Sequence, residues 1–198
     1  MRLLLTLLIM MFASTVVAED QPAPPNTPSP QVILQETLDQ VVVAVAKNPG
    51  EDQAVARRAE LRKIISPNFD FAEMAKRALG THWEGRSEAE RSEYTTVFSD
   101  LLAKTYLSKI DTVKENMVKV TSERIAFPKA LVKTSVTHKG DTFPIDYKLL
   151  FSNGSWKVYD VIIENIGLVA NYRNEFSGII RKEDFSGLMQ RLREKSAA

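Results

Sequence analysis

The sequence predicts an α+β fold, a curved four-stranded antiparallel meander wrapped by about six helices around an apolar pocket. Three observations carry this. Apolar residues recur at three and four from Leu34 to Ile110, as on amphipathic helices. From Met117 the period becomes two, with turn residues at Pro128, Gly140-Asp141 and Asn153-Gly154. Past Gly167 the helical spacing returns. Helices, then a run of strands, then helices give an α+β arrangement rather than alternating β and α units.

Helical periodicity opens with Leu34, Leu38, Val41, Val42 and Val45 and stops at Asn48-Pro49-Gly50. A second helix is expected from Asp52 to Ile65, with Arg57, Arg58, Arg62 and Lys63 read as a solvated face. A short third follows over Asn68 to Leu79, with Asp70 as N-cap and Gly80 as stop. Ser87 and Glu90 form a capping box at the start of the longest helix, whose stripe runs from Tyr94 to Ile110.

Four strands are expected at 118–127, 130–138, 142–151 and 155–163. A two-residue Asn153-Gly154 turn pairs Phe151 with Trp156, Leu149 with Val158, Tyr147 with Asp160 and Ile145 with Ile162 on one face. A turn at Gly140-Asp141 adds Val136, Thr134 and Val132 to that face, opposite Ile145, Tyr147 and Leu149. The sheet has apolar area on both sides, so it needs two covers. Leu168 to Ile180 and a last segment from Phe185 read as the closing helices.

Residues 1–18 read as a secretory signal peptide, with Arg2 before the apolar run Leu3 to Phe12 and small residues ending at Ala18. Residues 19–30, carrying five prolines, read as a flexible tether, and 31–198 as one domain. Loss of Arg2 with the leader leaves 25 basic against 25 acidic side chains, which favours neither nucleic acid nor an acidic partner. The absence of cysteine excludes disulfides, thiolate metal sites and a lipidated N-terminal cysteine. No later stretch is long and apolar enough to span a bilayer.

Nucleophile elbow, phosphate loop, dinucleotide fingerprint and zinc-protease motif are all absent. His82 and His138 lie on unrelated segments, so no histidine metal site or triad is expected. One constellation suits catalysis. Asp160 opposite Tyr147 on an apolar face would favour a protonated carboxyl, the arrangement of a small-molecule isomerase or hydratase. The alternative for this pair is a buried carboxylate bonded to tyrosine or backbone amides.

Phe69-Asp70-Phe71, Leu79-Gly80, His82-Trp83, Ser87-Glu88-Ala89-Glu90-Arg91, Phe98, Leu101-Leu102 and Thr105-Tyr106 resemble the MlaC, or toluene-tolerance-type, family. So do Trp156-Lys157-Val158-Tyr159-Asp160-Val161, Glu164, Ile166-Gly167-Leu168-Val169, Asn171-Tyr172-Arg173, Phe176 and Gly187-Leu188. The resemblance covers Leu34 to Leu192, and Asn165, where glycine is frequent, departs from it. It implies a cystatin-like or nuclear-transport-factor-like cone. It further implies a periplasmic, monomeric phospholipid carrier with no catalytic residue and no cofactor, shuttling lipid between outer and inner membranes to maintain outer-membrane asymmetry. The implied partners are an outer-membrane lipoprotein complex and an inner-membrane ABC transporter with its substrate-binding ring. The pocket wall is then expected from Phe98, Leu101, Leu102 and Tyr106, from Val132, Val136, Ile145, Tyr147 and Leu149, and from Trp156, Val158 and Ile162. Ile166, Leu168, Val169, Tyr172 and Phe176 would complete it, with Arg173 placed for a lipid phosphate.

Overall fold

The computed structural model describes residues 23–197, so the expected leader lies outside the described residues. Five helices and a five-stranded sheet follow in the order α1 (Pro30–Lys47), α2 (Ala54–Ile65), α3 (Phe71–Leu79), α4 (Glu88–Ile110), β1 (Val118–Ala126), β2 (Lys129–His138), β3 (Asp141–Ser152), β4 (Ser155–Ile163), β5 (Ile166–Gly167) and α5 (Leu168–Ala197). The sheet is open and antiparallel, with its strands in sequence order. It has one strand more than the expected four, because two residues after Ile163 turn back and pair with β4. The expected pair of C-terminal helices is one element broken at Asp184, where φ is 61°. There the Asp184 carboxylate accepts from the Ser186 and Gly187 amides at 2.7 and 3.1 Å and caps the final segment.

Local chemistry sets the helix ends. Ser29 caps α1 ahead of Pro30, and Asp70 caps α3 by accepting from the Glu73 amide at 2.9 Å. The expected capping box closes α4: the Ser87 amide donates to Glu90 at 2.7 Å and the Glu90 amide to Ser87 Oγ at 3.3 Å. The Pro-rich segment is tied down at its end. Trp156 Nε1 donates to the Pro28 carbonyl at 2.8 Å, and Glu123 accepts from Ser29 Oγ and the Gln31 amide.

Register departs from expectation at two places. The β2–β3 turn is Lys139-Gly140, not Gly140-Asp141, so Val132 faces Tyr147 and Thr134 faces Ile145. Both central residues take positive φ, as this hairpin turn requires, and the two-residue slip leaves every side chain on its expected face. In β4 the consequence is larger. Phe151–Trp156 and Leu149–Val158 pair as expected, but Lys148 then faces Asp160, because Tyr159 is an extra residue in the strand. The bulge meets the segment leading into α3, where the Asp70 amide donates to the Val158 carbonyl at 2.9 Å. Beyond it, Val161 and Ile163 take the face that Ile162 was expected to hold, and Asp160 turns to the other side.

Two cores flank the sheet. On one face Val132, Leu149, Trp156 and Val158 pack under Leu34 of α1, with Phe127, Phe151 and Trp156 in mutual ring contact. On the other, Tyr159 joins α3, α4 and α5 in a core centred on Tyr94, Phe98, Tyr172 and Phe176. Phe98 lies 5.3 and 5.7 Å, edge to face, from Tyr172 and Phe176. The α2 face expected to be solvated is partly internal. Arg57 is buried, donating to the carbonyls of Asn48 and Gly50 at 2.8 Å, and with Arg58 it pairs with the buried Asp111 at the end of α4.

The buried Tyr94 hydroxyl has no hydrogen-bond partner among the described residues. Leaving such a group unsatisfied costs about 1–3 kcal/mol. Tyr94→Phe is therefore expected to stabilise the fold by about 1 kcal/mol, read as a higher urea midpoint at unchanged slope.

Candidate functional site

A cavity of about 780 Å³ lies between one face of the sheet and the helices. It is in the upper part of the ~300–1,000 Å³ range of ligand sites. The sheet contributes Val136, Phe143, Ile145, Tyr147, Val161 and Ile163; α1 contributes Leu34, Thr37, Leu38 and Val41. Leu102, Tyr106, Leu107 and Ile110 of α4 face them, and Phe69, Phe71, Met74 and Leu168 close the side toward α3 and α5. Six exposed residues of the lining, Ser108, Lys109, Thr112, His138, Lys139 and Glu164, gather where α4 ends and two turns of the sheet meet and mark the mouth, while a seventh, Arg62, is exposed on α2.

Of the residues expected in the wall, Leu102, Tyr106, Val136, Ile145, Tyr147 and Leu168 border this cavity. The others do not. Val132, Leu149, Trp156 and Val158 lie in the solid core beneath α1, and Phe98, Leu101, Val169, Tyr172 and Phe176 in the core of α3, α4 and α5. Ile162 is turned away by the β4 bulge, and Ile166 is exposed. Arg173, expected at the phosphate, instead donates from Nε to the Arg77 carbonyl at 2.7 Å, at the end of α3 and away from the cavity lining. Sequence reasoning missed the α1 wall, whose stripe is read equally well as packed core, and missed Val161 and Ile163, which only the bulge turns inward.

Two tyrosines, Tyr106 and Tyr147, border the cavity. Burial pushes the Tyr147 phenol up to about 12. Behind the wall, in the core of α3, α4 and α5, Tyr172 is also held at about 12, first by burial and then by the neighbouring Tyr106. Both are neutral hydroxyls near neutral pH, able to donate one hydrogen bond but unable to act as a base there.

The Tyr147–Asp160 pair does not exist. Asp160 Oδ1 accepts from the Val169 amide at 3.1 Å and Oδ2 from Lys148 Nζ at 3.1 Å, on the side of the strand away from the cavity. The carboxylate holds the first turn of α5 against β4, where the helix N-terminus favours negative charge. Among the described residues no group of three or more His, Asp or Glu side chains is placed to hold a metal, and no helix is long and apolar enough to cross a membrane.

The geometry thus defines an α+β domain built around a large apolar cavity with a charged mouth. The chain belongs to the MlaC family: the family model described as MlaC protein matches residues 35–194. It is 18% identical, over 85% of its own length and 83% of the relative's, to the intermembrane phospholipid transport system binding protein MlaC of Haemophilus influenzae. Its fold also matches the solved structure of a phospholipid-binding protein from Ralstonia solanacearum in complex with a phospholipid. That match has a TM-score of 0.77 and 25% identity, and covers 86% of this chain and 98% of the other.

Asp160→Ala removes both bonds and leaves the Val169 amide buried and unpaired. The expected cost is about 2–3 kcal/mol, seen as a lower denaturant midpoint, and Lys148→Ala should cost much less because that side chain is 39% exposed.

Proposed function

We propose that this protein is a non-catalytic phospholipid carrier of the periplasm, moving lipid between the outer and inner membranes and so maintaining outer-membrane asymmetry. The observation that carries the reading is the 780 Å³ apolar cavity, in a fold whose solved Ralstonia solanacearum neighbour holds a phospholipid. The sheet and helices act in this reading as a cone of the cystatin-like or nuclear-transport-factor-like kind, with the cavity as its lumen. Its docking partners are an outer-membrane lipoprotein complex and an inner-membrane ABC transporter with its substrate-binding ring. Export follows a signal peptide cleaved after about Ala18, and the carrier works as a monomer.

Physical scale supports a dry container. Each methylene returned to water costs about 0.8 kcal/mol, so two long acyl chains represent on the order of 20 kcal/mol to be offset during an aqueous crossing. A wall of Ile, Leu, Val, Phe and Met side chains provides that burial without any dedicated chemistry. The isomerase or hydratase reading loses its footing, since its two residues lie on opposite faces of the sheet.

The test is native mass spectrometry of the protein purified from its own envelope, with extraction of whatever it holds. Co-purified phospholipid is expected; a lipid-free protein would sink the proposal. A pair of substitutions locates the guest. Val161→Trp, filling the cavity, is expected to reduce bound lipid with little loss of stability, whereas Val158→Trp, in solid core, should cost about 1–3 kcal/mol or more through overpacking.

A further inference from the structure

We propose that the cavity mouth is a headgroup site selective for a zwitterionic phospholipid, taking the phosphate between Lys139 and Lys109 and the cationic amine on Glu164. The proposal rests on the carrier reading and deepens it by naming the headgroup class.

Turn chemistry is the first ground. Three two-residue turns join neighbouring strands, Lys139-Gly140, Asn153-Gly154 and Glu164-Asn165, and all have both central residues at positive φ. The turn at the end of the sheet remote from the mouth carries Asn-Gly, the pair this backbone favours. At the mouth the same first position holds Lys139 at φ 51° and Glu164 at φ 48°. Neither side chain suits a left-handed backbone, which asparagine or glycine adopts at less cost. Non-glycine residues kept in that region concentrate where function demands the side chain.

Placement is the second ground. Both side chains border the cavity, and both turns sit at one end of the sheet, with the Glu164 amide donating to the Pro144 carbonyl at 3.2 Å. Lys109 reaches the same rim from the last turn of α4, its ammonium 5.6 Å from the centre of the Tyr106 ring. None of the three has an ion-pair partner among the described residues, whereas Arg62 on the cavity wall is paired with Asp100. Their aliphatic stems extend the greasy wall outward and leave the charged ends in water. Two cations and one carboxylate around an acyl cavity match a phosphodiester carrying a primary amine: the ammonium ends donate to phosphate oxygens, and the glutamate accepts from the lipid amine.

The experiment incubates purified protein with vesicles of equal phosphatidylethanolamine and phosphatidylglycerol of matched chains, and counts bound lipid by mass spectrometry. The wild-type protein is expected to enrich the ethanolamine lipid about two- to fivefold, the scale of one solvent-exposed ion pair. Glu164→Lys should reverse the preference. Lys139→Asn should lower binding of both lipids while raising the melting temperature by about 2 °C, since it removes charge and relieves the backbone together. A merely structural lysine would not move binding and stability in opposite directions. Wild-type protein and Glu164→Lys both holding the lipids in the vesicle ratio would overturn the headgroup site and leave carriage intact. A wild-type protein that takes up neither lipid would overturn the carrier reading, and the headgroup site with it.

Discussion

One extra residue in β4 sorts the side chains on which the rest of the molecule depends. An unbulged strand would direct Trp156, Val158, Asp160 and Ile162 to a single face, placing a carboxylate in the cavity wall. With Tyr159 inserted, Trp156 and Val158 stay in the core under α1, and Val161 and Ile163 move onto the cavity. Tyr159 and Asp160 then belong to the helical side, where Tyr159 packs beneath the Arg77 guanidinium, 4.4 Å from its ring, and Asp160 fixes the start of α5. The bulge also frees the Val158 carbonyl for the Asp70 amide, so the same irregularity docks α3. Both covers of the sheet are thus referenced to one point of one strand.

That irregularity also explains how far the sequence could be read. Asn153-Gly154 fixed the hairpin and the first pairs correctly, because the turn type leaves no choice of register near it. Nothing in Trp156-Lys157-Val158-Tyr159-Asp160-Val161 announces a bulge: the alternation looks unbroken, and the partner that stabilises it, Asp70, is some ninety residues earlier. The expected wall is displaced by the bulge at Ile162, and the expected Tyr147–Asp160 pair is broken by it. The remaining misplaced residues have a different cause. Periodicity reports that Phe98 or Leu149 faces inward, but inward is a packed core for these and a hollow for Tyr106 and Ile145. Arg57 was unreadable for a similar reason, since its buried partner Asp111 lies at the end of another helix.

The hollow persists because its walls are anchored elsewhere. Tyr94, Phe98 and Phe176 make α3, α4 and α5 a self-sufficient block, and Trp156 with Phe127 and Phe151 does the same for the lower sheet. Between them the α1–α2 pair has its own small core of Val41, Ala44 and Leu61. It is held out over the cavity at two ends, by Glu123 on the start of α1 and by Asp111 on Arg57 and Arg58 of α2. Charged and hydrogen-bonded anchors at the ends of a helical pair fix its position without requiring close-packed side chains beneath its middle. That is how a chain with no disulfide keeps apolar surfaces apart.

Magnitude decides what must fill the space. Cavities left by core truncations cost about 24 cal/mol per Å³; applied to 780 Å³, that is on the order of 20 kcal/mol. A domain of this size has only about 5–15 kcal/mol of stability in total. An empty, sealed cavity of this volume is therefore not a state the fold can hold. The wall must be wetted through the mouth, or the α1–α2 pair must settle inward, or hydrocarbon must take the place of the missing side chains. The first choice hydrates a wall of Leu, Ile, Val and Phe, and the second strains the Glu123 and Asp111 anchors, so both cost free energy that an acyl chain returns. In the proposed carrier a bound lipid would act as a stabilising ligand by mass action, adding stability that grows with the logarithm of its concentration relative to its dissociation constant. On that reading the guest would complete the core, and a partner that removed it would have to offset that stabilisation with contacts of its own.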